Sequence, residues 1–285
     1  MAVHKRTYRG YSGRLTPLRT RFWIVTRYAF ENVFRSKLLT SLFVCCFFFP
    51  FGCAVAIYLN QNPYLLELFN HRAMFDVDGR FFFHFLNAQL AMAFVLTALA
   101  GPGLVSSDLA NNALPLYFCR PFSRVDYVIG KLAVLVALLS LITWAPGLIL
   151  FLIQASLAGA RWTTAHLWMA GSIFLASGVD ILVLGLLSLA LSAWIKRRLA
   201  AGAALLGVFF FGAGFGQAIN AVLSTRNGSL LNIGELMASV HVTLFRVGSR
   251  PPIPPDLAWL ALLAICMFCL VLLERKVRAY EVVQG

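Results

Sequence analysis

The chain alternates between long apolar runs and short polar connections. Six runs are long enough, or nearly so, to cross a bilayer as helices, because a hydrocarbon core of about 30 Å needs roughly 20 apolar residues. These runs cover residues 38–59, 81–105, 128–154, 167–194, 199–223 and 257–273. The fourth and fifth runs are separated only by residues 195–198, which predicts a tight helical hairpin. The pattern predicts an all-α integral membrane protein with six transmembrane helices.

An amphipathic segment at 22–34 precedes the first run. Its polar stripe continues to one residue beyond that segment and consists of Arg27, Glu31 and Arg35. Its apolar stripe consists of Phe22, Val25, Ala29 and Val33. Glu31 can pair with either arginine, and the apolar stripe can lie in the headgroup boundary of a membrane or pack on another subunit. We expect an N-terminal interfacial helix here.

The long connection before the last run has a pattern of its own. Residues 230–247 are moderately apolar but are interrupted by Glu235, His241 and Arg246, so they form a poor seventh span. We expect a short external helix or a re-entrant segment at the outer surface. Four prolines at 250–255 then predict an extended connector into the last span.

Composition and charge set the environment and the orientation. Hydrophobic residues make up 60% of the chain and charged residues 12%, against roughly a quarter in ordinary soluble proteins, so lipid must cover much of the surface. The net charge of +13 lies between the apolar runs: 18 of the 24 Lys and Arg residues fall on one side of the predicted topology and 6 on the other. The positive-inside bias therefore places both termini in the cytoplasm, at the cell inner membrane. Basic residues that flank spans contact anionic lipid, which argues against nucleic acid as a partner.

We expect a single transmembrane domain over residues 1–285. It comprises a basic cytoplasmic segment at 1–37, a six-span bundle at 38–273 and a cytoplasmic tail at 274–285. The basic segment is too long for the first region of a signal peptide, and no small-residue cleavage site follows. Five of the six cysteines lie in apolar runs, which is typical of buried thiols rather than of disulfide or metal chemistry.

A few polar residues interrupt the runs. Asp180 is the only acidic residue deep in one of them. Intramembrane acids are costly unless they face protein or water, so Asp180 can line a substrate path or accept a hydrogen bond from a neighbouring helix. Five amide side chains are weaker examples of the same case: Asn87, Gln89, Gln154, Gln217 and Asn220.

Small residues and prolines predict features of the helices. Gly212 and Gly216 have the spacing that lets helix backbones approach closely, either between two subunits or within one. Three prolines inside the runs are expected to kink their helices: Pro50, Pro102 and Pro146.

The connection between the second and third runs carries the most informative motif. Residues 106–131 read SSDLANNALPLYFCRPFSRVDYVIGK. A polar start is followed by a short apolar segment and a turn at Arg120-Pro121, after which Ser123 can cap a helix that runs into the third span. A cytoplasmic connection with apolar residues is suited to touching a protein partner, although a connector that serves only the fold can have the same composition.

The run Arg120-Pro121-x-Ser123-Arg124, with Gly130-Lys131 following it, resembles the cytoplasmic loop of permeases of the ABC type-2 exporter family. The stretch FENVFRSKLL at 30–39 is similar to the end of that family's N-terminal interfacial helix, and ERKVRAYEVV at 274–283 is similar to its usual tail. Six spans, cytoplasmic termini and an external segment before the last span also agree. The resemblance thus covers nearly the whole chain.

The resemblance implies the transmembrane subunit of an ATP-driven ABC transporter, an exporter that works by alternating access. A second permease copy or a paralogue and two ATPase subunits would complete the complex. The ATPase subunits, rather than this chain, would bind ATP and Mg²⁺. In the family, a cytoplasmic coupling helix after the second span sits in a groove of the ATPase, and the interfacial helix helps to clamp the same subunit.

The resemblance assigns these family roles to particular residues of this chain. The coupling role falls on Asp108, Asn111, Asn112, Leu114, Leu116, Tyr117, Arg120, Pro121 and Arg124. The interfacial role falls on Arg27, Glu31 and Arg35. Because the family's substrate path runs between two permeases, Asp180, Asn87 and Gln217 are candidates for it, and Gly212 and Gly216 are candidates for the permease–permease contact.

The chain has no motif for hydrolysing ATP itself. Gly130-Lys131 is followed by Leu132 rather than Ser or Thr, and neither an HExxH nor a Gly-x-Ser-x-Gly sequence occurs. We therefore expect no enzymatic activity of its own. Two alternatives stay open: a non-transporting mechanotransmission or assembly subunit with a periplasmic partner at 224–256, and a membrane-embedded lipid enzyme that would use Asp180 and scattered histidines.

Overall fold

A computed structural model describes residues 21–62, 76–114, 117, 123–225, 227–248, 251 and 253–281. All regular structure in these ranges is helical. The helices are α1 (Arg21–Phe34), α2 (Lys37–Cys45), α3 (Phe48–Asn60), α4 (Gly79–Ala100), α5 (Pro102–Ala110), α6 (Arg124–Ile142), α7 (Trp144–Ala158), α8 (Ala160–Trp194), α9 (Arg198–Leu223), α10 (Ile233–Leu244) and α11 (Pro255–Glu281), with a 3₁₀ helix at Asn227–Leu231.

Six helical stretches are long and apolar enough to cross a membrane. They are Lys37–Asn60, Gly79–Ala110, Arg124–Ala158, Ala160–Trp194, Arg198–Leu223 and Pro255–Val277. Each contains one of the six runs found in the sequence, so the prediction of an all-α chain with six spans is confirmed at this level. The architecture is that of a multi-pass membrane protein. The side on which the termini lie stays a prediction.

The first three spans are interrupted where the prolines predict it. The turn at Cys46 and Phe47 separates α2 from α3, Gly101 separates α4 from α5, and Thr143 separates α6 from α7. Each break lies one to four residues before Pro50, Pro102 or Pro146, listed in the same order. Proline has no N–H for the carbonyl four residues earlier, and its ring clashes there, so the helix is interrupted on that side.

One glutamine side chain donates hydrogen bonds to backbone carbonyls at two of these breaks. The amide nitrogen of Gln89, in the middle of α4, donates to the carbonyl of Cys46 at 3.2 Å and to the carbonyl of Ile142 at 2.6 Å. These are the carbonyls that Pro50 and Pro146, each four residues further on, cannot satisfy. Gln89 is fully buried. It therefore joins α4 to the kinks of the first and third spans.

Helix α8 is the centre of the bundle. It packs against every helix from α4 onward, and 72% of its most apolar stretch is buried, against 22% for α9 and for α11. The large apolar residues exposed on the outer helices, such as Phe210 and Phe211 on α9, are what a lipid-facing surface requires.

The segment before the last span folds back onto the bundle. The 3₁₀ helix lies along α9, and α10 packs against α8, α9 and α11. The glycines of α9 permit this approach, because a Cβ on Gly212 would come within 2.6 Å of the Leu231 carbonyl and one on Gly216 within 2.6 Å of the Gly228 carbonyl. Gly212 and Gly216 thus permit a close backbone approach within one chain, which is one of the two alternatives for this pair; the other is a contact between two subunits.

Helix α1 packs across the beginning of α6. The hydroxyl of Thr26 donates to the carbonyl of Gly130 at 3.0 Å, and a Cβ on Gly130 would lie 3.1 Å from the Phe22 carbonyl. Two members of the predicted apolar stripe, Ala29 and Val33, are buried against the chain itself rather than exposed to a headgroup region. The aromatic side chains that α1 does expose are those of Trp23 and Tyr28.

Candidate functional site

A partly buried ion pair joins the end of the second span to the beginning of the third. Asp108 lies in the last turn of α5, and its Oδ2 is 2.8 Å from the Nζ of Lys131 on α6. The hydroxyl of Tyr127 donates to the same oxygen at 2.8 Å. Tyr127 and Lys131 are one turn apart and therefore share a face of α6. Because little solvent reaches this pair, it is screened far less than a surface ion pair.

Local sequence explains how the chain brings these residues together. After α5, Asn112 adopts a left-handed conformation with φ of 49°, which asparagine tolerates better than most residues. The N–H of Ala113 then donates to the Asp108 carbonyl at 2.8 Å, which closes the end of α5. At the other side of the connection, Ser123 and Asp126 form a reciprocal capping box at the start of α6. The cap predicted at Ser123 is thus confirmed.

The described coupling residues differ in exposure, and Tyr117 lies near the ion pair. Leu114 is buried, Asn111 and Asn112 are exposed, and Tyr117 and Arg124 are partly buried. The ring of Tyr117 lies 5.6 Å from that of Tyr127, between centroids. Burial, followed by the negative charge of Asp108, raises the pKa of Tyr117, so its phenol stays protonated at neutral pH. Leu116, Arg120 and Pro121 lie outside the described residues, as do residues 115, 118 and 119 of the predicted coupling segment.

The polar stripe of α1 contains one surface ion pair. Arg27 Nε is 3.0 Å from Glu31 Oε1, with the two side chains 74% and 49% exposed. Such a pair contributes little to stability, so these side chains are available to a partner. Arg35 is not in this pair and lines a cavity between α1 and α5 instead.

A second buried pair lies inside the bundle. Oδ1 of Asp180 on α8 is 3.0 Å from Nε2 of His241 on α10, with the two side chains 2% and 0% exposed. Of the two roles proposed for Asp180, the hydrogen bond to a neighbouring helix is therefore present. Nδ1 of His241 has no partner among the described residues.

The other two polar candidates do not join Asp180 in one site. The amide of Asn87 donates to the Phe83 carbonyl on its own helix at 2.8 Å, and Gln217 is exposed on α9. The predicted set therefore separates into one buried pair and two unconnected amides.

Sequence reasoning singles out Asp180 and Gln89 but misses His241 as the partner of Asp180. In the sequence, His241 only interrupts residues 230–247 and counts among the scattered histidines. A lone acid in one apolar segment and a lone histidine in another are candidates for pairing, because each is costly to bury alone. That signal was present in the sequence, but the choice of partner depends on α10 packing against α8.

No protein-family model matches the chain, and no curated protein matches it either. The family resemblance described above therefore rests on the sequence motifs.

Proposed function

We propose that the chain is the membrane-spanning permease subunit of an ABC-type exporter, and that the connection between α5 and α6 receives the ATPase subunit. The observation that carries this proposal is the contact of Asp108 with both Lys131 and Tyr127. It joins the two ends of the connection that resembles the family's coupling loop. A displacement of residues 109–123 would therefore move α5 and α6 together.

A second contact extends this junction to the central helix. The hydroxyl of Ser192 on α8 donates to the carbonyl of Pro102 at 2.7 Å and accepts from the N–H of Ser106 at 2.9 Å. Ser192 thus contacts two residues one turn apart in α5, and the hydroxyl of Ser106 also donates to the Pro102 carbonyl. This contact supports α5 and α8 moving as one unit.

Helix α8 also contacts the segment at the other end of the bundle. Its Asp180 holds His241 of α10, and the hydroxyl of Ser172 donates to the Leu244 carbonyl at 2.8 Å. A continuous set of packed contacts thus runs from the proposed ATPase contact through α5 and α8 to α10. Such networks carry coupling when their elements have two arrangements. ATPase closure would act on α10 through this route, and the substrate path would lie between this chain and a second permease.

The test is co-purification from native membranes, with identification of the proteins that stay bound. Residues 115–120 are replaced by a Gly/Ser linker in one variant, and residues 61–66 in a matched control. Both replaced segments contain one proline, one tyrosine and at least one leucine, and they belong to connections on opposite sides of the predicted topology.

The proposal predicts that an ATPase with a phosphate-binding loop accompanies the wild type and the 61–66 variant and is lost from the 115–120 variant. A chain that purifies without an ATPase in all three cases would contradict the proposal. Equal retention of an ATPase by the two variants would contradict the assignment of the contact to this connection.

A further inference from the structure

A polar cavity lies under α1, at the end of the bundle where the first, second, third and fifth spans meet. Its volume is about 300 Å³. Its polar and charged lining residues are Asn32, Arg35, Ser36, Ser107, Asp108, Lys131 and Arg198. One side is apolar and includes Ala29 and Val33 of α1 and Leu104 of α5. The cavity thus combines cations and hydroxyls with an apolar wall.

The charges in this cavity do not balance. Asp108 is the one carboxylate among the lining residues, and it contacts Lys131 at 2.8 Å. That leaves the guanidinium groups of Arg35 and Arg198 as an excess of two positive charges. Such a surrounding would attract a second oxyanion beside Asp108, because guanidinium groups match phosphate oxygens in geometry as well as charge.

Arg198 is held in place over the junction between α4 and α5. Its Nη2 donates to the Leu99 carbonyl at 2.9 Å, and a Cβ on Gly103 would lie 3.1 Å from its Nε. Glycine at 103 therefore lets the guanidinium lie close to α5. An arginine that is positioned in this way loses less conformational entropy when it binds an anion.

The position of the cavity relative to the spans points to lipid. Arg35 lies two residues before the first span, and Arg198 is the first residue of the fifth. Just beyond them, Leu38 is 62% and Leu199 86% exposed, and these side chains offer an apolar surface to acyl chains. Trp23 of α1 is also exposed, as is common for aromatic residues at the level of headgroups.

We propose that this cavity binds the phosphate of an anionic phospholipid headgroup, with Arg35 and Arg198 as its cationic contacts. Basic cavities between membrane helices recognise anionic headgroups through the same chemistry. The inference goes beyond the proposed function: it needs insertion in a membrane and does not need an ATPase partner.

The test is lipid binding to the full chain, purified in mild detergent and stripped of lipid, measured by native mass spectrometry. Phosphatidylglycerol is compared with phosphatidylcholine for the wild type and for Arg35→Gln/Arg198→Gln. The matched control is Arg80→Gln/Arg161→Gln, which removes the same charge from two exposed arginines outside the cavity. We expect the cavity variant to bind phosphatidylglycerol about 25-fold more weakly, from roughly fivefold for each of two charges, with phosphatidylcholine unaffected. The control variant should bind like the wild type.

Two further measurements separate the loss of charge from a loss of folding. Arg35→Lys/Arg198→Lys keeps both charges and should keep most of the binding, and the thermal midpoints without lipid show that each variant is folded. Equal binding by the cavity and control variants would overturn the proposal. Inorganic phosphate that raises the thermal midpoint as much as phosphatidylglycerol, in a way that depends on both arginines, would overturn lipid as the ligand and assign the cavity to a soluble phosphate.

Discussion

Asp180 and His241 form a buried pair at 3.0 Å although 61 residues separate them in the chain. The pair joins α8, the most buried of the six candidate spans, to α10, which is too short to span a membrane. Each of the two side chains would be costly to bury without a partner. Their contact explains why an acid and a histidine are both found inside an otherwise apolar bundle.

Breaking this pair should destabilise the protein. His241→Ala leaves the Asp180 carboxylate buried without its partner. The expected loss lies between about 1 kcal/mol, typical of a polar contact between membrane helices, and about 3–5 kcal/mol, typical of a broken buried ion pair. The thermal midpoint of the purified protein in detergent measures it.

The matched control and the double variant sharpen this prediction. Gln217→Ala removes a polar side chain that is exposed on α9. It should change the free energy of unfolding by no more than about 0.5 kcal/mol. Asp180→Leu/His241→Leu should cost less than the two single substitutions together, because it leaves no unpaired polar group. Full additivity would show that the two side chains do not interact.

Gln89 should be important for stability because it satisfies two carbonyls that prolines have freed. Gln89→Leu leaves the Cys46 and Ile142 carbonyls without that donor, and each unsatisfied buried group costs about 1–3 kcal/mol. Asn87→Leu is the control, since its amide bonds only within its own helix. Thermal unfolding should show a clearly larger loss for Gln89→Leu.

The role of proline in this contact can be tested by rescue. Pro146→Ala restores a backbone N–H that can donate to the Ile142 carbonyl. We therefore expect Gln89→Leu to be less costly in a Pro146→Ala background than in the wild type. An unchanged cost would mean that the glutamine does not act by replacing the missing backbone donor.

Two glycines of α9, Gly214 and Gly216, differ in the space available for a Cβ and therefore provide a test and its control. Gly216→Ala would place a Cβ 2.6 Å from the Gly228 carbonyl, so the 3₁₀ helix must shift, at a cost of about 1–3 kcal/mol. Gly214 has open space at the same position, so Gly214→Ala should be neutral or stabilising by up to about 1 kcal/mol. Equal midpoints for the two variants would contradict the close packing of residues 227–231 on α9.

The Asp108–Lys131 pair should be required for coupling rather than for assembly. In the proposed complex, Lys131→Met should leave the ATPase bound while lowering the ATP hydrolysis that depends on the permease, because the two ends of the connection no longer move together. The exchange Asp108→Lys/Lys131→Asp should restore part of that activity. If Lys131→Met keeps normal permease-dependent ATP hydrolysis and the exchanged variant shows no gain, the pair has no role in coupling.

Much of the fold could be predicted from the sequence because the bilayer imposes a simple length rule. The run at 199–223 and helix α9 (Arg198–Leu223) differ by one residue, and the kinks follow from prolines whose effect is local. The cap at Ser123 is also local, since it involves residues three apart.

The contacts between helices could not be predicted in the same way. Gln89 meets Cys46 and Ile142 only because three spans pack together, and the polarity of a single glutamine does not name its partners. For the same reason, the cavity that contains Arg35 and Arg198 is invisible in the sequence, where 163 positions separate the two arginines. Hydropathy predicts which residues enter the membrane but not which helices become neighbours.

The most direct test of the central claim is site-specific cross-linking in native membranes. A photoreactive phenylalanine analogue replaces Tyr117 in the connection between α5 and α6. Leu231, in the 3₁₀ helix that packs on α9 and lies on the predicted external side, serves as the control position. The proposed ATPase contact predicts an adduct at position 117, but not at 231, with a protein that contains an ATPase phosphate-binding loop. An ATPase adduct at 231 alone, or none at 117 in a chain that stays membrane-inserted, would contradict it.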